Sequence, residues 1–197
     1  MLQSRSLVAL SLSIVLAASA HAQSTTESTQ SSEAAQWRIY ASGGRSMPNR
    51  HGQVEMQSFN FERSKKYRKQ AELGLVFSAH LIDEPRSWFG HMFGDGNDKV
   101  PAAGVSLILR RQFGNEKATS RPFVEISSGP MWASERVPAA TSHFNFLSQA
   151  GFGYVFRSDR PVSWVVGWHF AHVSNGGYGR LNSGLNINSI MIGTQFR

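Results

Sequence analysis

Residues 144–156 read Phe-Asn-Phe-Leu-Ser-Gln-Ala-Gly-Phe-Gly-Tyr-Val-Phe, and large apolar side chains fall at nearly every second position. Alternation with a period of two places them on one face of a β-strand, with small or polar residues on the other face. The stretch 72–81 repeats this pattern, with Leu73, Leu75 and Phe77 on its apolar face. The fold is therefore expected to consist of strands with one apolar and one polar face.

Eight alternating segments can be counted from Trp37 onward, separated by clusters of turn-forming residues. They predict an all-β fold, an eight-stranded antiparallel transmembrane β-barrel whose apolar faces meet lipid. A soluble β-sandwich also alternates, but its apolar faces meet in a shared core. Aromatic residues near strand ends favour the barrel, because aromatic girdles flank its lipid-facing band. These residues are Trp37, Trp88, Trp132, Tyr154, Phe156 and Phe196.

The connections between the segments alternate in length, which orients the predicted barrel. Outer-membrane barrels have short periplasmic turns and longer external loops, so a periplasmic N-terminus places the longest connection outside. The predicted external loops are 47–51, 83–100, 134–142 and 175–183, and the predicted internal turns are 64–69, 114–120 and 158–161.

The N-terminal part of the chain predicts export. Residues 1–22 combine Arg5, an apolar run over 7–18 and the small-residue site Ala20-His21-Ala22, which is typical of a signal peptide. Residues 23–36 are rich in Ser, Thr, Gln and Glu and predict a disordered leader. Residues 37–197 then form the barrel domain, expected in the outer membrane of a Gram-negative bacterium.

The amino-acid composition limits the kinds of ligand that the chain is expected to bind. The chain has no cysteine, which excludes disulfides and thiolate metal sites. The net charge of +7 suits an anionic partner, and export favours a lipid headgroup over nucleic acid. Basic residues near the predicted outer rim could pair with lipid phosphates or be ordinary solvated loop charges. They are Arg45, Arg50, Arg86, Lys99, Arg136 and Arg180.

The segment 164–174 carries the residues of chemical interest. Trp168, Phe170, His172 and Ser174 share one strand face, so two polar side chains lie at the end of a lipid-facing surface. A hairpin symmetric about residue 179 places Asn186 opposite His172, with Cβ atoms about 5 Å apart. A histidine able to take the serine proton, oriented by a third polar group, is the arrangement used in nucleophilic acyl transfer.

The sequence His172-Val-Ser174-Asn175, followed by an Asn and a Gly ahead of residue 186, resembles the signature of the PagL-type lipid A 3-O-deacylases. The resemblance implies that His172 is the general base and Ser174 the nucleophile of an ester hydrolase acting on the lipid A of lipopolysaccharide. It also implies a supporting role for Asn175 and a homodimer as one possible assembly. The implied oxyanion hole consists of Asn182 and the backbone amides of Gly176 and Gly177. No cofactor or metal is expected.

One position departs from the family pattern. Asn186 stands where the family usually has Glu, and no Asp or Glu occurs in residues 161–197. Glu125 and Asp159 are poor substitutes, since the first has inward parity and the second lies at the opposite rim. Two alternatives stay open: a non-catalytic lipid-binding or structural barrel, and an esterase acting on phospholipid. In the first case, His172 and Ser174 form an interfacial polar cap, and Asn175, Gly176 and Gly177 serve only the hairpin turn.

Overall fold

The computed structural model describes residues 35–47, 53–85, 99–115, 118–139, 141–157, 161–179 and 181–196. The predicted signal peptide, most of the predicted leader, Trp88 and Asp159 lie outside these ranges. Eight strands are present: β1 Gln36–Ser46, β2 Glu55–Arg68, β3 Ala71–Asp83, β4 Lys99–Gln112, β5 Ser120–Ala133, β6 Phe144–Phe156, β7 Val162–Ser174 and β8 Leu185–Phe196. Within the described ranges, no helix is long and apolar enough to cross a bilayer.

The strands form a closed barrel in which each pairs antiparallel with the next and β1 pairs with β8. The outer wall carries the apolar face of every alternating segment. Phe77 is 51% exposed, Trp132 60% and Ile190 67%. A soluble monomer rarely exposes a continuous apolar surface of this size. The eight-stranded barrel is therefore confirmed, and the sandwich is excluded because the apolar faces point outward.

The inner face holds a network of charged side chains centred on Arg110. Its guanidinium contacts Glu62 at 2.6 and 2.8 Å, Glu125 at 2.6 Å and Glu72 at 3.3 Å. His169 contacts the second oxygen of Glu125 at 2.5 Å. The predicted inward parity of Glu125 is thus confirmed, and Glu72 and Arg110 are buried in the same interior. Charges removed from water in this way require such partners, because an unpaired buried charge costs several kcal/mol.

Two apolar clusters fill the rest of the interior, as expected for a barrel of this strand number. The first lies inside the barrel at the ends of the strands that meet the 47–54 and 175–184 connections, and it includes Met56, Ile82, Val173 and Leu185. Val173 and Leu185 are cross-strand partners on β7 and β8. They anchor the inner side of the hairpin whose outer side carries His172.

One predicted connection lies wholly within the described residues of β2, β3 and their turn, and it differs from the prediction. The predicted turn 64–69 is wrong, because β2 continues to Arg68 and Ser64 pairs with Gly74 on β3. The turn is confined to Lys69 and Gln70, and Gln70 has a positive φ of 71°. The charged run in this segment resembles a loop in composition. It forms a strand because Ser64 still points inward while its charged neighbours point outward.

Candidate active site

The β7–β8 hairpin has the predicted register, with His172 directly opposite Asn186. On the other side of β7, His172 pairs with Ser148 of β6, whose hydroxyl lies 2.9 Å from that of Ser128 on β5. A row of four polar residues, Ser128, Ser148, His172 and Asn186, thus crosses four strands. Their parity places them on the outer wall, which is otherwise mostly apolar.

A hydrogen bond joins His172 to its cross-strand partner, with 2.7 Å between His172 Nδ1 and Asn186 Oδ1. An amide oxygen only accepts hydrogen bonds, so this contact places the imidazole proton on Nδ1. The Nε2 lone pair is then available to accept a proton from another group. The geometry thus selects the tautomer that a general base acting through Nε2 requires.

Ser174 lies on the same face of β7, two residues beyond His172, and is 4% exposed. Its cross-strand partner is Phe146, whose ring packs against Tyr178 with centroids 6.4 Å apart. The hydrogen bond of His172 is made to Asn186 and not to Ser174. Bonds between a catalytic base and its nucleophile often tighten only in the complex with substrate.

Asn175 connects the two sides of the loop that follows β7. Its Oδ1 accepts from the Gly177 amide at 3.0 Å, and its Nδ2 donates to the Leu181 carbonyl at 2.8 Å. Its own backbone amide donates to Asn182 Oδ1 at 3.3 Å. Because a backbone N–H must be met by an acceptor, the Asn182 amide group is oriented with its oxygen toward Asn175 and its NH₂ group directed elsewhere.

Comparison with known proteins identifies the family. Residues 65–195 match the family model described as lipid A 3-O-deacylase (PagL). The chain belongs to the PagL family. The match includes the hairpin with His172, Ser174 and Asn186 and most of the barrel that carries it. Comparison with curated proteins gave no significant match.

Solved structures with the same fold include the outer membrane enzyme PagL, which is 16% identical with a TM-score of 0.56 and covers 81% of this chain and 99% of that one. Neisserial surface protein A (NspA) has a TM-score of 0.60 at 8% identity, covering 83% and 99%. The outer membrane protein OprG from Pseudomonas aeruginosa has a TM-score of 0.50 at 10% identity, covering 86% and 98%. At these identities the likeness concerns the fold, which is that of outer-membrane barrels.

Asn186 is the position that departs from the PagL family pattern. Asn186 occupies the place of the expected carboxylate and contacts the histidine with an oxygen atom. Glu125, considered as a substitute acid, points into the barrel and is bonded to Arg110 and His169. It is separated from His172 by the barrel wall, so it cannot orient that imidazole.

The oxyanion hole implied by the PagL resemblance stays a prediction, and one of its implied donors has a partner within the loop. The amide of Gly177 donates to Asn175 Oδ1, because the chain turns back at Asn175 with positive φ at Gly176 and Gly177. That donor is already used within the turn. The Asn182 side chain and the Gly176 amide remain as the candidate donors of this loop.

Sequence reasoning missed two features of the site. The Ser128–Ser148 pair lies on faces counted as apolar, and only the register brings it beside His172. Gly184 lies against the His172 ring. The one signal in the sequence is the hairpin register, which places residue 184 opposite Ser174 when it is extended by one pair beyond Val173 and Leu185. Among the residues the structure describes, no group of three or more His, Cys, Asp or Glu is placed to hold a metal ion.

Proposed function

We propose that this PagL-family barrel hydrolyses the ester that links the 3-position acyl chain to lipid A, with Ser174 as nucleophile and His172 as general base. The observation that carries the proposal is the 2.7 Å contact between His172 Nδ1 and Asn186 Oδ1 on the outer wall. It orients the imidazole on the lipid-facing side through Nδ1, two residues from a serine on the same strand face.

The reaction follows the order of serine acyl transfer. Ser174 Oγ attacks the ester carbonyl carbon while His172 Nε2 takes the hydroxyl proton. The tetrahedral intermediate collapses, and His172 returns the proton to the departing sugar oxygen. Water, deprotonated by His172, then attacks the acyl–Ser174 ester, and His172 returns that proton to Ser174 Oγ as the fatty acid is released. The products are a free 3-hydroxyl group on lipid A and one carboxylic acid.

The negative charge that develops on the carbonyl oxygen requires donors. The NH₂ group of Asn182 suits this role, because the Asn182 oxygen is already held by the Asn175 amide at 3.3 Å. The Gly176 amide is the second donor. Asn175 supports both, since its side chain joins Gly177 to Leu181 across the loop. A single donor of this type contributes roughly 10²–10³-fold to turnover in serine hydrolases.

The position of the site suits a substrate that arrives from within the membrane. His172 and Asn186 lie where the apolar outer wall gives way to the 175–184 loop, and the exposed Trp132 and Tyr178 lie at the same end. The ester of a lipid lies at the corresponding boundary between headgroup and hydrocarbon. A lipid can therefore reach this part of the outer wall by lateral diffusion. Export by the predicted signal peptide and assembly as a homodimer remain predictions.

Purified protein in detergent, offered lipid A and glycerophospholipid separately, tests the substrate class. The proposal expects release of the 3-position acyl chain from lipid A and little fatty acid from phospholipid. Equal or preferred hydrolysis of phospholipid would assign the same site to the other ester. The Ser174→Ala variant serves as the matched control, because it removes one hydroxyl and leaves the barrel pairing unchanged.

A non-catalytic, lipid-binding barrel is the second candidate, favoured by Asn186 in place of a carboxylate. An amide orients the imidazole but does not neutralise the imidazolium that forms in the reaction. Reaction with a serine-directed acyl phosphonate separates the two candidates. Modification of Ser174 in the folded protein supports the hydrolase, and a Ser174 that stays unmodified while the barrel is intact supports the binding protein.

A further inference from the structure

Gly184, which immediately precedes β8, lies against the edge of the His172 imidazole. A Cβ atom added at this position would lie 2.4 Å from His172 Cε1, 3.0 Å from Nε2 and 3.5 Å from Nδ1. All three nearest atoms belong to this one side chain. Tight glycines elsewhere in the barrel, such as Gly44 and Gly129, mainly meet the backbone of a neighbouring strand instead.

The backbone does not explain a glycine at position 184. Among the glycines that the structure describes, those with positive φ are Gly114, Gly176 and Gly177, and Gly184 is not one of them. An L-residue could therefore adopt its conformation without the penalty that favours glycine in the left-handed region. A side chain at 184 would instead collide with the imidazole in its present position, since ordinary contact begins only at about 3.4 Å.

We infer that Gly184 is a positioning residue for His172: its missing side chain leaves the room that the imidazole occupies while it is bonded to Asn186. The expected effect on catalysis rests on the proposed function. The contact between Gly184 and His172 does not depend on that function. The imidazole is held on its Nδ1 side by Asn186 at 2.7 Å and bordered at Cε1 by Gly184. A methyl group at 184 requires the ring and residue 184 to move apart by about 1 Å, the difference between 2.4 Å and ordinary contact.

Displacement of the His172 ring is expected to slow the reaction. Displacement of a reacting group by about 1 Å can cost on the order of 10²-fold in rate. Since the ring is displaced and the lipid-binding surface is not, the loss should fall on kcat, with KM changed little. The same displacement weakens the bond to Asn186 and hence the preference for the proton on Nδ1.

The test compares Gly184→Ala with Gly43→Ala, a matched addition of one methyl group on the outer wall where no atom lies within 4 Å. Both variants should refold, as judged by the heat-dependent gel mobility of the barrel. Gly184→Ala is expected to lower kcat for lipid A about 100-fold and to slow phosphonate labelling of Ser174 similarly, while Gly43→Ala changes neither. Wild-type kcat and labelling in folded Gly184→Ala would overturn the inference.

A spectroscopic measurement separates this inference from the proposed function. In protein labelled with ¹⁵N at histidine, the His172 ring resonances report the Nδ1–H···Asn186 bond without any turnover. They should shift in Gly184→Ala and stay in place in Gly43→Ala. If wild type hydrolyses no ester but these resonances shift, the proposed function fails and the positioning contact stands. If the resonances do not move, the positioning role is excluded.

Discussion

His172 and Asn186 are directly opposite each other on β7 and β8 and are joined by a 2.7 Å hydrogen bond on the outside of the barrel. The bond determines which imidazole nitrogen carries the proton, yet its acceptor is neutral. The orientation of the base is thus provided, whereas the charge that would stabilise a protonated imidazole is not.

Asn186→Glu is expected to raise kcat at least about tenfold without loss of folding. A carboxylate can only accept from Nδ1–H and stabilises imidazolium, and in serine proteases the reverse Asp to Asn change costs about 10⁴ in turnover. Asn188→Glu is the matched control, because it adds the same charge two residues along the outward face of β8, opposite Phe170. A lower kcat in Asn186→Glu than in wild type would show that the amide has a role of its own.

Asn182→Asp is expected to lower kcat by roughly 10²–10³-fold, the range for loss of one oxyanion donor. Aspartate can still accept from the Asn175 amide, but it has no NH₂ group to donate and places negative charge beside the developing oxyanion. The neighbouring exposed Ser183→Ala should retain wild-type kcat. Steady-state kinetics on lipid A in detergent measures both. An unchanged kcat in Asn182→Asp would remove Asn182 from the oxyanion hole.

Asn175→Asp is expected to loosen the loop without unfolding the barrel. Aspartate retains the acceptor for the Gly177 amide but replaces the Nδ2 donor to the Leu181 carbonyl with an oxygen, so two acceptors face each other. Hydrogen exchange of the amides in 175–182 should become faster, and kcat should fall, while the thermal transition of the barrel is retained. Unaltered exchange together with wild-type kcat would contradict the supporting role of this side chain.

Arg110→Leu is expected to destabilise the barrel by about 3–5 kcal/mol, the usual cost of removing one partner from a buried ion pair. It leaves Glu62, Glu72 and Glu125 without the cation that they share. Arg111→Leu is the control, since Arg111 is exposed and next in sequence. Urea unfolding followed by tryptophan fluorescence provides the comparison. Equal midpoints for the two variants would mean that the interior network does not stabilise the fold.

Strand parity explains why so much could be predicted from the sequence. The period of two fixes which side chains share a face, so the outward position of His172 and the inward position of Glu125 follow without coordinates. The symmetry of the hairpin also gives the pairing of His172 with Asn186, which the register confirms. The predicted turn 64–69 is wrong because β2 continues to Arg68 through residues that are all exposed after Ser64, a composition that also suits a loop.

What the sequence could not provide depends on contacts through space. The Gly177 amide donates to Asn175 Oδ1 because of the path of the turn. The sequence alone does not distinguish the Gly177 amide from the Gly176 amide. The contact of Gly184 with the His172 ring requires the path of the loop into β8. The Ser128–Ser148 pair joins the polar row only through the register of three neighbouring strands.

Mass spectrometry of lipid A tests the central claim most directly. The chain is expressed in a Gram-negative host without a deacylase of this family, beside Ser174→Ala at equal levels of folded barrel. Wild type is predicted to yield lipid A that lacks the acyl chain ester-linked at the 3-position, and Ser174→Ala to leave lipid A intact. Unmodified lipid A in cells with folded wild-type protein, or the same loss with Ser174→Ala, would contradict the claim.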